Sequence, residues 1–415
     1  MSGATVTAWV LRRGGTGLRG RPLRHHRASD TAGNARTPGT ARARRGAAAL
    51  AVPLITGSLL APLAPPAAAD PGRPEEPVGG PRLGGRGVIV DRSEGAPAAP
   101  RIGAASYLIA DADTGEVLAA KDPHGHYLPA STIKTLTALT LVPRLNPNAL
   151  VRPTQETCDV EGTKVGMTPK MQYKVSDLFY ALMMMSANDA ALGLAQANGG
   201  VKKTLADMNA EARRINAHDT LAGSPNGLDT DLGLTVKTQH TSAYDLALIL
   251  REGLKNPDFR KYVETVDHRF PAPPTKKQRK AGKKVGGYPI HTHNRMLPGQ
   301  SQEYKGMIGG KNGYTVASKQ TFVAAARRGG HTIVISLMKA DQQPSVLAKE
   351  LLDWGFAARG KVKPVGTLVP PVDTQAQQKK KAVGDAPLPS KASDDGFMGG
   401  WAVPAAGGAT AAVVA

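Results

Sequence analysis

Two strand-patterned hairpins flank a long helical stretch, and this arrangement restricts the fold more than any other feature of the chain. Residues 106–110 and 116–120 form the first pair, joined by the turn residues Asp113, Thr114 and Gly115. Residues 321–326 and 332–337, on either side of Gly329 and Gly330, form the second. Between the pairs the periodicity is helical. One helix starts near Ser131, where Pro129 ends the extended approach. A long helical block opens with Ser176 and Asp177 as its cap and continues through Leu178, Leu182 and Met185. Two further helices span 204–216 and 242–254, and another at 345–356 follows the second hairpin. Strands from both ends predict an α+β fold: one antiparallel sheet flanked by helices, with a mostly helical insertion between its halves. Cys158 is the only cysteine, so no intrachain disulfide can form and the fold rests on its core.

Composition divides the 415 residues into four parts. Residues 1–69 read as a basic leader and signal peptide. The first 45 residues hold ten arginines and one acidic residue, Asp30. Residues 46–63 are apolar and uncharged, and Ala67, Ala68 and Ala69 form a small-residue cleavage pattern before Asp70. Pro53 and Gly57 interrupt the apolar run, which favours export over a membrane-spanning helix. Residues 70–100 read as a Pro/Gly-rich linker, 101–360 as the folded domain, and 361–415 as a low-complexity tail. The uncharged stretch 396–415 fits a disordered tail and the start of a membrane anchor about equally well. Cleavage after Ala69 removes ten Arg and one Asp, so the formal net charge falls from +20 to +11. What remains suits an anionic wall polymer or a membrane surface, and export excludes nucleic acid as a partner.

Three short motifs occur in a fixed order. In Ser131-Thr132-Ile133-Lys134 a hydroxyl and an amine lie three residues apart, on one face of a helix. A serine needs a neighbouring base to act as a nucleophile. Lys134 qualifies if its amine is neutral, a state that burial and a second cation, Lys311, both favour. Ser186-Ala187-Asn188 lies in a run of poor helix formers. Two readings of it are even: a helix break, or a connection carrying Ser186 to the leaving amine and Asn188 to a substrate amide. Lys311-Asn312-Gly313 supplies a cation for a substrate carboxylate and a glycine that lets substrate pair with a strand. The competing reading is a hairpin turn, since Gly309, Gly310 and Gly313 crowd together. The ordered trio reads as a serine acyltransferase whose base is a lysine.

These motifs, with the segments 107–111, 129–131, 186–190, 208–209, 226–228 and 293–294, resemble the serine-type D-alanyl-D-alanine carboxypeptidases, the low-molecular-mass penicillin-binding proteins. The resemblance covers roughly residues 100–357 and implies a β-lactamase/transpeptidase-like fold with the site at the sheet edge. It implies peptidoglycan stem peptides ending in D-Ala-D-Ala as substrates, β-lactams as covalent inhibitors, and no cofactor or metal. It assigns acylation to Ser131, proton acceptance to Lys134 and the second active hydroxyl to Ser186. Substrate contact falls to Asn188, Lys311, Asn312 and Gly313, and the oxyanion hole to the backbone N–H groups of Ser131 and Tyr314.

Asn312 stands where the family usually has Thr or Ser, and the tail is too short and proline-rich for the β-rich domain that several relatives carry. A β-lactamase of the same fold is the nearest rival. Ala187, in place of the expected Asp, and the lack of a downstream Glu-x-x-Leu-Asn pattern argue against it. A non-catalytic wall-binding protein is the rival from another class. The pairs His124/His126 and His291/His293 have metal-ligand spacing but no completing ligand set. The basic run 276–284 reads as a solvated loop.

Overall fold

A computed structural model describes residues 76–377. The leader at 1–69 and the end of the tail, including the stretch 396–415, lie outside the described residues. The main-sheet strands are β1 (Val88–Arg92), β2 (Ala104–Asp111), β3 (Glu116–Lys121), β4 (Met307–Thr315), β5 (Lys319–Arg328), β6 (His331–Ala340), β7 (Val362–Lys363) and β8 (Gly366–Thr367). They line up as β7-β1-β3-β2-β6-β5-β4, with β8 also on β3, and every pairing is antiparallel. The N-terminal hairpin β2–β3 and the C-terminal hairpin β5–β6 therefore meet in mid-sheet, Ile109 opposite Ile335. Strand β4 forms one edge.

Both faces are covered, because the central strands are apolar on both sides rather than alternating. Leu108, Ala110, Val323 and Val334 point into a core with helices α1 (Lys134–Leu141), α2 (Val175–Met185), α3 (Asn188–Ala197), α4 (Val201–Arg214), α5 (Ala243–Gly253) and α6 (Pro257–Glu264). Ile109, Phe322, Ala324, Ile335 and Leu337 point the other way, onto α7 (Pro344–Ala358). Among the described residues, no helix is long and apolar enough to cross a membrane.

Three boundaries differ from the sequence reading. The stretch 70–100 is not simply a spacer. Leu83 is fully buried, and β1 adds to the sheet beside β3. Nor does the sheet stop at residue 360, since β7 pairs with β1 and β8 with β3. Helix α2 begins at Val175, one residue before the expected Ser176 cap, because carbonyls of a neighbouring loop satisfy its first amides. Val175 N donates to Ala149 O at 2.9 Å and Ser176 N to Pro147 O at 3.0 Å. Ser242 caps α5, accepting from Asp245 N at 3.1 Å.

Candidate active site

Pro129 leads into a tight 3-10 turn, Ala130–Ile133, which continues as α1. Ala130 adopts φ +46°, an unusual conformation for a residue with a Cβ, immediately before Ser131. Two hydroxyls hold the turn: Thr132 Oγ1 and, from β5, Thr321 Oγ1 at 2.9 Å both donate to Pro129 O. Ser131 is left half-buried.

Lys134 lies one turn on and is 0 % exposed. Its Nζ lies 2.8 Å from Ser131 Oγ and donates to Asn188 Oδ1 at 2.8 Å and to the Asn226 carbonyl. Burial pushes its pKa well below the usual lysine value, Lys311 pushes it further down, and Asp189 partly offsets both. Lys311, 1 % exposed on β4, is lowered to about 7 by burial, and its Nζ donates to Asn312 O at 2.6 Å.

The break in the long helical block falls where the poor helix formers predict. Helix α2 ends at Met185, Ser186 caps it in the left-handed region at φ +65°, and α3 starts at Asn188. The break brings Asn188 to Lys134, and Ser186 is buried at the cap between the two helices. Asn188 Nδ2 is anchored on Glu161 O at 2.7 Å, which fixes Oδ1 toward the amine.

The Lys-Asn-Gly segment is edge strand, not turn: Lys311, Asn312 and Gly313 pair with Val323, Phe322 and Thr321. Gly313 is needed because a Cβ there would lie 2.7 Å from Ser131 N and 2.9 Å from Thr132 N. By strand alternation Lys311 and Gly313 face the Ser131 turn. Asn312 faces the other way, into a cleft it shares with His293 and Phe322. Tyr314 is 60 % exposed at the edge.

Sequence reasoning missed three contributors. Asn226 acts through its backbone carbonyl, held by a loop whose Ser224 Oγ donates to Gln239 Oε1 at 2.7 Å and accepts from Gly227 N at 3.0 Å. Gly227, at φ +85°, lets this loop pass against Ala130 O. Buried Asp189 accepts from the amides of Val165, Gly166 and Met167 at 2.9–3.0 Å. The adjacent Asn-Gly pair and the Asp following Asn188 were the available signals. Three of the four paired histidines bond carboxylates. His124 and His126 share the Asp219 carboxylate at 2.6 and 3.3 Å, and His291 bonds Asp267.

An antiparallel sheet between helical layers, with a half-buried serine and a buried lysine in Ser-x-x-Lys spacing under its edge strand, defines a penicillin-binding-protein-type fold. The chain belongs to the D-alanyl-D-alanine carboxypeptidase family, whose profile matches residues 93–342. It is 37 % identical over 259 residues to the D-alanyl-D-alanine carboxypeptidase DacB2 of Mycobacterium tuberculosis, covering 61 % of this chain and 82 % of that protein. To DacF of Bacillus subtilis it is 24 % identical over 262 residues, 61 % of this chain and 62 % of the relative. The crystal structure of a D-alanyl-D-alanine carboxypeptidase from M. tuberculosis superposes with a TM-score of 0.60 at 34 % identity, over 67 % of this chain and 99 % of the other. A Streptomyces DD-transpeptidase superposes at 0.55 and 25 % identity, over 62 % of this chain and the whole of the other. The protein is a serine-type peptidase, a hydrolase.

Proposed function

We propose that this enzyme removes the terminal D-alanine from peptidoglycan stem peptides through an acyl-enzyme at Ser131, outside the cytoplasm. The carrying observation is the Lys134 amine, buried and held 2.8 Å from Ser131 Oγ. A neutral lysine has two N–H groups and one lone pair. Asn188 Oδ1 and Asn226 O accept the two N–H groups, which leaves the lone pair for the Ser131 hydroxyl proton.

Ser131 Oγ attacks the carbonyl carbon of the penultimate D-alanine as its proton passes to Lys134. The N–H groups of Ser131 and Tyr314 receive the oxyanion, and Lys311 with Asn312 takes the terminal carboxylate. The C–N bond then breaks. D-alanine leaves as its amine accepts a proton relayed from Lys134 through Ser186. A water, deprotonated by Lys134, attacks the ester and frees Ser131. A β-lactam enters the same route, but its leaving nitrogen stays tethered to the acyl group. The leader supports export, and the positive net charge of the mature chain supports contact with anionic wall polymers or a membrane surface. Mixing the purified protein with a pentapeptide ending in D-Ala-D-Ala tests the reading. Free D-alanine should appear with wild type and not with Ser131→Ala, which should also fail to take a fluorescent penicillin. Labelling without D-alanine release would favour a binding protein, and rapid penicillin turnover would favour a β-lactamase.

A further inference from the structure

The run of cations at 276–284 is more ordered than a solvated loop. It forms the tip of an arm whose strands, Asp267–Phe270 and Tyr288–His291, make a two-stranded sheet of their own. Between them a helical turn, Lys276–Lys280, is fixed by a capping box: Thr275 Oγ1 accepts from Gln278 N at 3.2 Å, and Gln278 Oε1 accepts from Thr275 N at 2.8 Å. Lys283 N then donates to Gln278 O and Gly286 N to Ala272 O, both at 2.9 Å, which closes the tip. The root is fixed as well. Phe270 stacks on Tyr173 with ring centres 5.4 Å apart, and the Tyr288 hydroxyl donates to Val165 O, in the loop that Asp189 holds.

The tip carries Lys276, Lys277, Arg279, Lys280, Lys283 and Lys284, all exposed, and residues 271–287 include no acidic residue. Among the described residues none of these six cations forms an ion pair. This arrangement works against the turn's own stability. Lys276 meets Arg279 and Lys280 at i,i+3 and i,i+4 spacing, Lys277 meets Lys280, and the first-turn lysines sit at the positive end of the helix. An anionic partner would supply the missing counter-charge. The tip offers a bilayer no apolar face, since 271–287 hold no aromatic residue and Val285 is the only branched apolar side chain.

We propose that the arm tip is a docking surface for a linear, phosphate-bearing polymer, which tethers the enzyme to the wall that carries it. Five of the six cations are lysines, compact hydrated charges that suit phosphates presented without fixed geometry. The inference names the anionic partner of the enzyme proposed above and rests on its placement outside the cytoplasm.

Fluorescence anisotropy of end-labelled inorganic polyphosphate, titrated with the purified protein over a series of salt concentrations, tests the surface. Lys276→Gln/Lys277→Gln/Lys280→Gln should weaken binding about tenfold or more at low salt. It should also lower the slope of log K against log salt by about three, one for each cation removed. A control triple of exposed lysines elsewhere, Lys202→Gln/Lys305→Gln/Lys361→Gln, removes the same charge and should bind as wild type does. Thermal melts check that both triples fold, and Lys283→Gln/Lys284→Gln reads the same tip from outside the helical turn. Equal losses in the two triples would reduce the effect to net charge and overturn the proposal. So would loss of binding to phosphatidylglycerol/phosphatidylcholine vesicles with polyphosphate binding intact, which would assign the arm to a membrane. D-alanine release separates this inference from the peptidase reading. Arm-dependent binding without release keeps the docking surface and removes the peptidase, and release without arm-dependent binding does the reverse.

Discussion

Gly313 leaves no room for a side chain above the Ser131 amide: a Cβ at position 313 would lie 2.7 Å from Ser131 N, closer than real Cβ contacts come. The edge strand and the nucleophile turn are therefore in backbone contact, and their spacing sets the gap in which an oxyanion would sit. Gly313→Ala should push strand and turn apart by a few tenths of an ångström. Acylation by a fluorescent penicillin should fall by about 10²-fold or more, the loss expected when one oxyanion donor is misplaced. Overpacking should lower stability by only about 1–3 kcal/mol. A near-normal acylation rate in the folded variant would mean that this contact does not define the site.

The pH profile should be shaped by two buried lysines. Activity needs Lys134 neutral, so kcat/KM should rise through its depressed pKa, and Lys134→Ala should lose about 10²–10⁴-fold. Lys311 must stay charged to hold a carboxylate, so substrate affinity should fall as pH climbs past about 7. Lys311 also lowers the Lys134 pKa. Lys311→Met should therefore move the rising limb to higher pH as well as raise KM. The limbs belong to the coupled pair rather than to either lysine. A rising limb left in place by Lys311→Met would contradict this electrostatic picture.

Stability should follow the same group in a defined direction. The unfolded chain carries Lys311 with an ordinary lysine pKa, while the folded chain holds it near 7. Between those values the unfolded state binds more protons, so stability increases with pH across that window. Below about pH 7 both states are protonated, and the penalty of burying the cation is fully present. Denaturant unfolding at a series of pH values should show this rise in wild type and a flatter one in Lys311→Met. Equal slopes would place the charge in solvent.

Much of this architecture is legible because it is local. Hairpins β2–β3 and β5–β6 show themselves by short apolar runs on either side of Gly-containing turns, and the break after Met185 by its poor helix formers. What the sequence hides is non-local. Strand β1 and the two-residue strands β7 and β8 are too short or too polar to announce themselves, and they exist through partners far along the chain. The glycines at 309, 310 and 313 imitate a turn, yet they serve close backbone approach along an edge strand. The Asn226 contribution is a carbonyl, which no residue type reveals.

Asp189 couples stability to chemistry. Its carboxylate satisfies the amides of Val165, Gly166 and Met167, and its charge raises the Lys134 pKa. Asp189→Asn replaces an acceptor-only group with one that brings donors to three N–H groups, so at least one amide should lose its partner. Each buried donor left unpaired costs about 1–3 kcal/mol. Loss of the charge should lower the Lys134 pKa further and move the rising limb of kcat/KM to lower pH, opposite to Lys311→Met. Thermal melts and a pH–rate profile on the same protein separate the two effects. Shifts of the same sign in both variants would refute the charge assignment.

Asn312 is the departure from the usual Thr or Ser, and its position suggests what the change does. Its side chain faces the cleft shared with His293 rather than the Ser131 turn. An amide reaches further from a strand than a hydroxyl and supplies two donors and an acceptor. If it helps Lys311 hold a terminal carboxylate, Asn312→Ala should remove a hydrogen bond to a charged group, worth about 1.5–3 kcal/mol. That corresponds to a rise in KM of about tenfold or more, with little change in kcat, as for uniform binding. Asn312→Thr should recover part of the loss, because the shorter hydroxyl still donates and a β-branched residue suits the strand. Steady-state kinetics on a D-Ala-D-Ala peptide decide the matter. An unchanged KM in Asn312→Ala would leave Lys311 to bind the carboxylate alone.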